Sequence, residues 1–189
     1  MSHLSLSGTP DYPWYVRVIF RLQRRKYGRV LEPARLWGRT PRVFLAMSAM
    51  YGALDRKSSP LAPALRSLVQ VRVSQMNGCP FCTDINSAGA LRRGASADQL
   101  AALAAFRDSP LFSEPEKAAL EHAEAMTQTG RAGAPPIERL RKHFDDDAII
   151  ELTALIAFQN MSSKFNAALG VPAQGFCELQ HDRLVPGDR

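Results

Sequence analysis

The stretch LVQVRVSQMNGCPFC, residues 68–82, decides how this sequence folds. Its apolar residues recur at three- and four-residue steps, which is the spacing of one face of a helix. Asn77-Gly78 is typical of a helix end, and Pro80 is a favoured residue at the first position of a helix. The stretch therefore predicts two successive helices, with Cys79 as the cap of the second helix and Cys82 in its first turn.

The rest of the chain has the same helical periodicity and contains no convincing strand pattern. The Ser59-Pro60 pair predicts the beginning of the helix that runs to Met76. Eight helices are predicted, over residues 15–27, 41–54, 60–76, 80–93, 97–106, 114–130, 135–144 and 146–170. The expected fold class is all-α, a bundle of about seven or eight helices. We divide the chain into a basic N-terminal arm (1–40), a helical domain (41–175) and a polar tail (176–189).

Composition excludes several classes of protein. Hydrophobic residues make up 46% of the 189 residues, enough for a real core, and no apolar run approaches the roughly 18 residues that cross a bilayer. The first 13 residues lack the apolar region of a secretion signal. Three cysteines, of which two are close together, do not form a disulfide framework. We expect a cytoplasmic protein without a membrane partner, in which the cysteine pair serves redox or metal chemistry.

The positive charge is concentrated in one segment. Residues 15–42 contain nine arginine or lysine residues and a single acidic residue, Glu32, although the net charge of the whole chain is only +6. Such a segment would suit phosphate, nucleic acid or an acidic partner. More often such a segment is a solvated helix face or part of a subunit contact, and we adopt this interpretation. No nucleic-acid-binding motif accompanies it, so we expect no nucleic-acid partner.

The Cys79-Pro80-Phe81-Cys82 motif has the spacing of a redox-active dithiol. Two cysteines three positions apart in the first turn of a helix form a disulfide with little backbone movement. The helix N-terminus also favours an anion, and it lowers the pKa of a thiol from about 8.5 toward 7 or below. The thiolate is the form that attacks peroxides and disulfides, so this position suits redox catalysis.

Two other interpretations of the pair stay open at this point. A structural zinc site needs four ligands. The third cysteine, Cys177, lies far along the chain in the predicted tail, and the four histidines are scattered. We therefore expect no metal and no other cofactor. The pair could also be two small buried residues without chemistry, but Gly78 and Pro80 form the kind of helix end that activates a thiol.

The segment from Leu68 to Cys82 resembles the alkyl hydroperoxidase D-like proteins of the carboxymuconolactone decarboxylase superfamily. The similarity continues through 88–94, 110–127 and 165–172 and covers about residues 41–175. It implies an all-α homo-oligomer that reduces hydroperoxides. In this scheme Cys82 attacks the peroxide and becomes a sulfenic acid, and Cys79 condenses with it to a disulfide. A lipoyl- or thioredoxin-like dithiol reductant then restores the pair.

Two positions depart from the family pattern. The family has Glu twelve residues before the first cysteine, where this chain has Ser67, and His four residues after the second, where it has Asn86. The resemblance implies that these two residues form a proton relay. Neither serine nor asparagine titrates near neutral pH, and general acid–base help is worth about 100- to 10,000-fold. We therefore expect slow peroxide reduction.

Other polar residues are candidates for a supporting role. Asp84 lies two positions after Cys82, which on a helix directs it away from the thiol, so a first-turn charge complementing the helix dipole is the simpler interpretation. Gln75 could hold a water near the cysteines or end its helix. His122 and Glu151 lie in helices that the family packs near the core, and each has an ordinary packed or surface interpretation as well.

The sequence thus predicts an alkyl hydroperoxidase-like oxidoreductase with Cys82 and Cys79 as catalytic residues. The alternative is a non-catalytic oligomer on the same fold that senses redox state or binds a partner, which Ser67 and Asn86 would explain. A lactone decarboxylase, the third interpretation, does not use a cysteine pair.

Overall fold

The structure, a computed structural model, describes residues 10–129 and 134–177. Every regular element in these ranges is helical, which confirms the predicted all-α fold. The helices are α1 (Trp14–Tyr27), α2 (Glu32–Trp37), α3 (Pro41–Leu54), α4 (Pro63–Met76), α5 (Pro80–Arg92), α6 (Ala97–Ala102) with a 3₁₀ turn at Leu103–Ala105, α7 (Glu114–Thr129), α8 (Ala134–Leu140) and α9 (Asp146–Ala168). None of the helices in the described ranges has the length and apolar composition needed to cross a bilayer.

Two local predictions need correction. Helix α2 has no counterpart among the eight predicted helices, because six residues are too few to show a periodic pattern. The predicted start at Ser59-Pro60 is wrong, since α4 begins only at Pro63. A proline keeps the preceding residue out of the helical region. Accordingly, Ala62 is extended, with φ −55° and ψ 137°.

The chain divides between Lys57 and Ser58 into two compact units. The first contains α1, α2 and α3. In it the ring of Phe20 packs edge-on against Tyr12, with centroids 4.9 Å apart, and lies 6.3 Å from the ring of Phe44. The described part of the predicted basic arm belongs to this unit, together with α3.

The second unit is built around α4, which packs against α5, α7 and α9. Nine of the fourteen residues of α4 are buried. Three of them, Leu68, Val69 and Val73, are completely inaccessible to solvent. A helix that is buried on most of its faces lies at the centre of a bundle. Since the cysteine pair follows α4 directly, this packing places the pair inside the bundle.

Candidate functional site

The turn between α4 and α5 sets the position of the cysteines. Gly78 has φ +59°, a left-handed conformation that glycine adopts without steric cost. The N–H groups of Gly78 and Cys79 donate to the carbonyls of Gln75 and Ser74, and so close the end of α4. The side chain of Asn77 donates to Asn160 Oδ1 and to the Ser163 hydroxyl. These two bonds tie the turn to α9.

Cys79 and Cys82 form a disulfide at the N-terminus of α5, with their Cα atoms 5.3 Å apart. Cys79 is the N-cap residue, as predicted, and its Sγ accepts the backbone N–H of Cys82 at 3.2 Å. Both residues are buried, with exposed fractions of 1% and 3%. Their spacing and their place on the helix allow a disulfide and a dithiol to interconvert without refolding.

Asn166 on α9 makes the second contact to the pair. Its Nδ2 donates to Cys82 Sγ at 3.2 Å. The residue is 2% exposed, and no group in the described part of the chain forms a hydrogen bond with its Oδ1. The contact places an N–H donor at the Cys82 sulfur, where it would stabilise a thiolate in the reduced protein.

A buried group of polar side chains lies next to the pair. The Ser74 hydroxyl donates to the Gln70 carbonyl at 2.6 Å and accepts from Asn86 Nδ2 at 3.2 Å and Gln159 Nε2 at 2.9 Å. These bonds join α4, α5 and α9. Their members are neutral, so they orient the helices around the pair and do not exchange protons near pH 7.

A pocket of about 730 Å³ opens beside the disulfide. Its wall is formed by the end of α4, the first turns of α5 and the segment 173–177. Cys79 of the disulfide lines this pocket. Cys177, which is not part of the disulfide, lines it as well. The pocket gives a small molecule a route to the pair. Within the described ranges no group of three or more His, Cys, Asp or Glu side chains is placed to hold a metal ion.

Comparison with known proteins identifies the family. Residues 41–125 match the profile described as the carboxymuconolactone decarboxylase family. The uncharacterized protein YnjA of Escherichia coli (strain K12) is 49% identical over 163 residues, which cover 86% of this chain and 90% of YnjA. The chain belongs to the carboxymuconolactone decarboxylase family. The predicted resemblance is thereby confirmed.

Solved structures of similar proteins agree with the alkyl hydroperoxidase D-like fold of this family member. A protein of unknown function from Agrobacterium tumefaciens, whose name links it to antioxidant defence and AhpD, is 28% identical with a TM-score of 0.68. The match covers 74% of this chain and 95% of that one. An uncharacterized peroxidase-related protein from Silicibacter sp. TM1040 has a TM-score of 0.82 at 22% identity and covers 93% and 94% of the two chains.

The two positions at which this carboxymuconolactone decarboxylase family member departs from the pattern are occupied by hydrogen-bonded neutral side chains. Ser67 is buried on α4, and its Oγ accepts Arg93 Nη1 at 3.2 Å. Asn86 lies one turn after Cys82 on α5 and donates to Ser74. Both side chains bond to atoms other than the cysteine sulfurs, and neither is a titratable group.

Gln75 and Asp84, two of the predicted supporting residues, line the pocket together with Cys79. Gln75 Oε1 accepts Arg72 Nη1 at 3.3 Å, while the same guanidinium pairs with Glu124 of α7 at 2.7 Å through Nε. Arg72 therefore fixes the amide of Gln75.

Asp84 uses both carboxylate oxygens to accept backbone N–H groups, those of Gln174 at 2.8 Å and Cys177 at 2.7 Å. It holds the C-terminal segment against α5.

His122, another predicted supporting residue, is buried on α7 with its Nε2 3.1 Å from Thr153 Oγ1 on α9. The Thr153 hydroxyl donates to the Ile149 carbonyl, so it accepts from His122 Nε2–H. Among residues 10–129 and 134–177, no group forms a hydrogen bond with His122 Nδ1. Thr153 is about 20 Å along α9 from Asn166 at 1.5 Å per residue, so the structure does not bring this imidazole to the cysteine pair. Glu151, also on α9, bonds to the Ser59 hydroxyl.

Burial lowers the pKa of His122 below its ordinary value of 6.5. The unfolded chain therefore takes up a proton near pH 6.5 that the folded chain does not accept, and the free energy of unfolding should fall as the pH drops below this value. The loss is at most about 1.4 kcal/mol per pH unit, and it ends when the pH reaches the folded-state pKa. Urea unfolding at pH 7.5, 6.5 and 5.5 measures it.

His122→Gln should reduce this pH dependence, since Gln keeps an N–H donor for Thr153 without titrating. His143, which is exposed, provides the matched control, and His143→Gln should leave the slope as in the wild type. Equal slopes in the wild type and His122→Gln would contradict the assignment.

Two residues of the site, Asn166 and Cys177, are not among the predicted site residues. Nothing in the sequence shows that the amide of Asn166 reaches Cys82, which lies 84 residues earlier. Cys177 lies in the segment that is predicted to be a polar tail. The preceding Phe176 was a usable signal, since an aromatic residue in a polar segment indicates packing, and its ring contacts Phe81 with centroids 6.4 Å apart.

Proposed function

We propose that this protein reduces organic hydroperoxides through a dithiol–disulfide cycle of Cys82 and Cys79. The observation that carries the proposal is the buried disulfide at the N-terminus of α5, with the Asn166 amide on the Cys82 sulfur and a pocket beside Cys79. The family assignment and the AhpD-type structural relative support it.

The proposed reaction begins with the reduced pair. The Cys82 thiolate attacks the terminal oxygen of the hydroperoxide, the O–O bond breaks, and the alcohol leaves after taking a proton from solvent. The resulting sulfenic acid condenses with the Cys79 thiol, which releases water and forms the disulfide. A dithiol donor returns two electrons and two protons.

The groups around the pair differ in what they contribute to this cycle. Asn166 Nδ2 stabilises the Cys82 thiolate by presenting an N–H group to negative charge. The positive end of the α5 dipole acts on both sulfurs, and the backbone N–H of Cys82 donates to Cys79 Sγ. Ser67 and Asn86 supply hydrogen bonds but no proton at neutral pH. Protonation of the leaving alcohol then depends on water in the pocket, so we expect slow turnover.

The proposal includes partners. A lipoyl- or thioredoxin-like dithiol is the expected reductant, and self-association is expected from the family. Large apolar side chains that are exposed on the isolated chain, such as Trp14 at 70% and Ile150 at 66%, are consistent with further contacts between copies.

A single-turnover experiment tests the function. The fully reduced protein is mixed with excess cumene hydroperoxide without a donor, and the alcohol is quantified. We expect about one equivalent of alcohol per chain, together with loss of the two thiols of the pair, since the disulfide is the end point of one cycle. Protein alkylated before mixing is the control. Alcohol release equal to that of the alkylated protein would contradict the proposal.

A redox sensor without turnover is the second candidate, favoured by the two neutral side chains, Ser67 and Asn86, at the positions of the family's proton relay. Such a protein would form the disulfide once and would not cycle when a dithiol donor is added. Continuous hydroperoxide consumption with the donor present separates the two functions.

A further inference from the structure

After α9 the chain turns back and lies along the beginning of α5. The Asp84 carboxylate accepts the N–H groups of Gln174 and Cys177, and the Phe176 ring packs edge-on against Phe81. Three contacts thus hold the segment 173–177 against the helix that begins with the cysteine pair. A carboxylate that caps two backbone N–H groups of a distant segment is a specific anchor, since charge-assisted bonds are the stronger ones.

The anchor brings a third cysteine to the redox pocket. Cys177 carries a thiol outside the disulfide, is partly exposed, and lines the same pocket as Cys79. Cys79 and Cys82 themselves are almost completely buried. Thiol–disulfide exchange needs the attacking thiolate to reach a sulfur of the disulfide, and access limits its rate. Cys177 contacts both the pocket and solvent, whereas the pair is shielded from a reductant of protein size.

The Cys82 sulfur is suited to leave as a thiolate. If a thiol attacks Cys79, the leaving group is the Cys82 sulfur, which already accepts Asn166 Nδ2 and lies in the first turn of α5. A Cys82 thiolate released from the disulfide therefore already has an N–H donor.

We propose that Cys177 is a third redox residue that opens the Cys79–Cys82 disulfide from within the chain. The Cys177 thiol gives its proton to solvent, and its thiolate attacks Cys79 Sγ. The Cys79–Cys177 bond forms as the Cys79–Cys82 bond breaks, and Cys82 leaves as a thiolate. No electrons are gained or lost. An external dithiol then reduces the new disulfide at the partly exposed Cys177. The inference rests on the proposed function for the origin of the first disulfide.

The proposed exchange requires Cys177 to approach Cys79. A disulfide needs Cα atoms about 4.4–6.8 Å apart, and Cys177 is anchored by its backbone one to two turns along α5 from Cys79. Gly175 lies on the pocket wall between the anchored Gln174 and Cys177, and its φ is +73°. In the proposed movement the Cys177 N–H leaves Asp84 Oδ1, and rotation at Gly175 then turns Cys177 toward Cys79, while Gln174 stays bonded to Asp84.

Disulfide mapping tests the exchange partner. The full-length Cys82→Ser variant, at low concentration, is oxidised with diamide, alkylated and digested. We expect an intramolecular Cys79–Cys177 crosslink in most chains. The matched control is Cys79→Ser, which keeps Cys82 and Cys177 and should give at least tenfold less crosslink, because Asn166 and α5 hold Cys82 on the inner side. Absence of the crosslink in Cys82→Ser, or equal yields in the two variants, would overturn the inference.

Reduction kinetics of the oxidised protein give a second readout. A reduced thioredoxin-like protein should reduce the oxidised wild type at least tenfold faster than Cys177→Ser or Cys177→Ala, whereas a small phosphine should reduce all three at similar rates. Equal rates with the protein dithiol would contradict the role of Cys177. Neither measurement uses a hydroperoxide, so a chain that forms the crosslink but releases no alcohol from cumene hydroperoxide loses the proposed function only.

Discussion

Cys82→Ser should abolish hydroperoxide consumption, leaving only the rate measured without protein. Cys82 Sγ accepts Asn166 Nδ2 and lies in the first turn of α5, so we propose it as the sulfur that attacks the peroxide. A serine hydroxyl at the same place is not ionised at neutral pH and does not attack the O–O bond. Consumption of cumene hydroperoxide with a dithiol donor, followed over time, measures the loss.

Cys79→Ser is the matched comparison, with Cys177→Ser present in both variants to remove the third thiol. It should retain the first chemical step, because Cys82 is intact, and should yield a Cys82 sulfenic acid that dimedone traps. Dimedone adduct on the Cys79→Ser protein and none on Cys82→Ser supports the assignment of roles. The reverse pattern would show that Cys79 is the attacking residue.

Restoring the proton relay should accelerate the reaction. The double variant Ser67→Glu/Asn86→His is expected to raise kcat/KM for the hydroperoxide by about 100- to 10,000-fold, the usual value of general acid–base catalysis. Position 86 lies four residues after Cys82, so a side chain there projects from the same face of α5 as Cys82. A carboxylate at position 67 would find a cationic partner, since Arg93 Nη1 already lies 3.2 Å from Ser67 Oγ.

Ser67→Gln/Asn86→Gln is the control for this gain. It places side chains of similar size at the same positions without a titratable group, and it should stay near the wild-type rate. Circular dichroism checks that both proteins fold, because Ser67 is buried and a larger side chain strains the core. Equal rates for the two double variants would show that the missing relay does not limit turnover.

The fold and the position of the cysteine pair in it could be predicted from the sequence. Local signals determine both: the helical spacing before Gly78, the proline at the first position of α5, and the Cys79 cap are all contained in fifteen consecutive residues. The structure places them as predicted. The start of α4 was mispredicted because two prolines, Pro60 and Pro63, compete for the same position.

The environment of the pair depends on contacts between residues far apart in the sequence. Asn166 reaches Cys82 across 84 residues, and Cys177 reaches Asp84 across 93. No periodicity encodes such contacts, because they arise from how α9 and the following segment pack against α5. His122 illustrates the same limit: its helix was predicted, but its partner Thr153 was not.

The separation of only three residues between Cys79 and Cys82 has a consequence for thermal unfolding. In the loop-entropy description, a crosslink that closes four residues stabilises a protein by about 2 kcal/mol, whereas one closing roughly 100 residues contributes about 4.7 kcal/mol. If Cys79 exchanged its partner Cys82 for Cys177, the closed loop would grow from four residues to roughly 100 residues. The melting temperature would then distinguish two oxidised forms that have the same mass and the same number of disulfides.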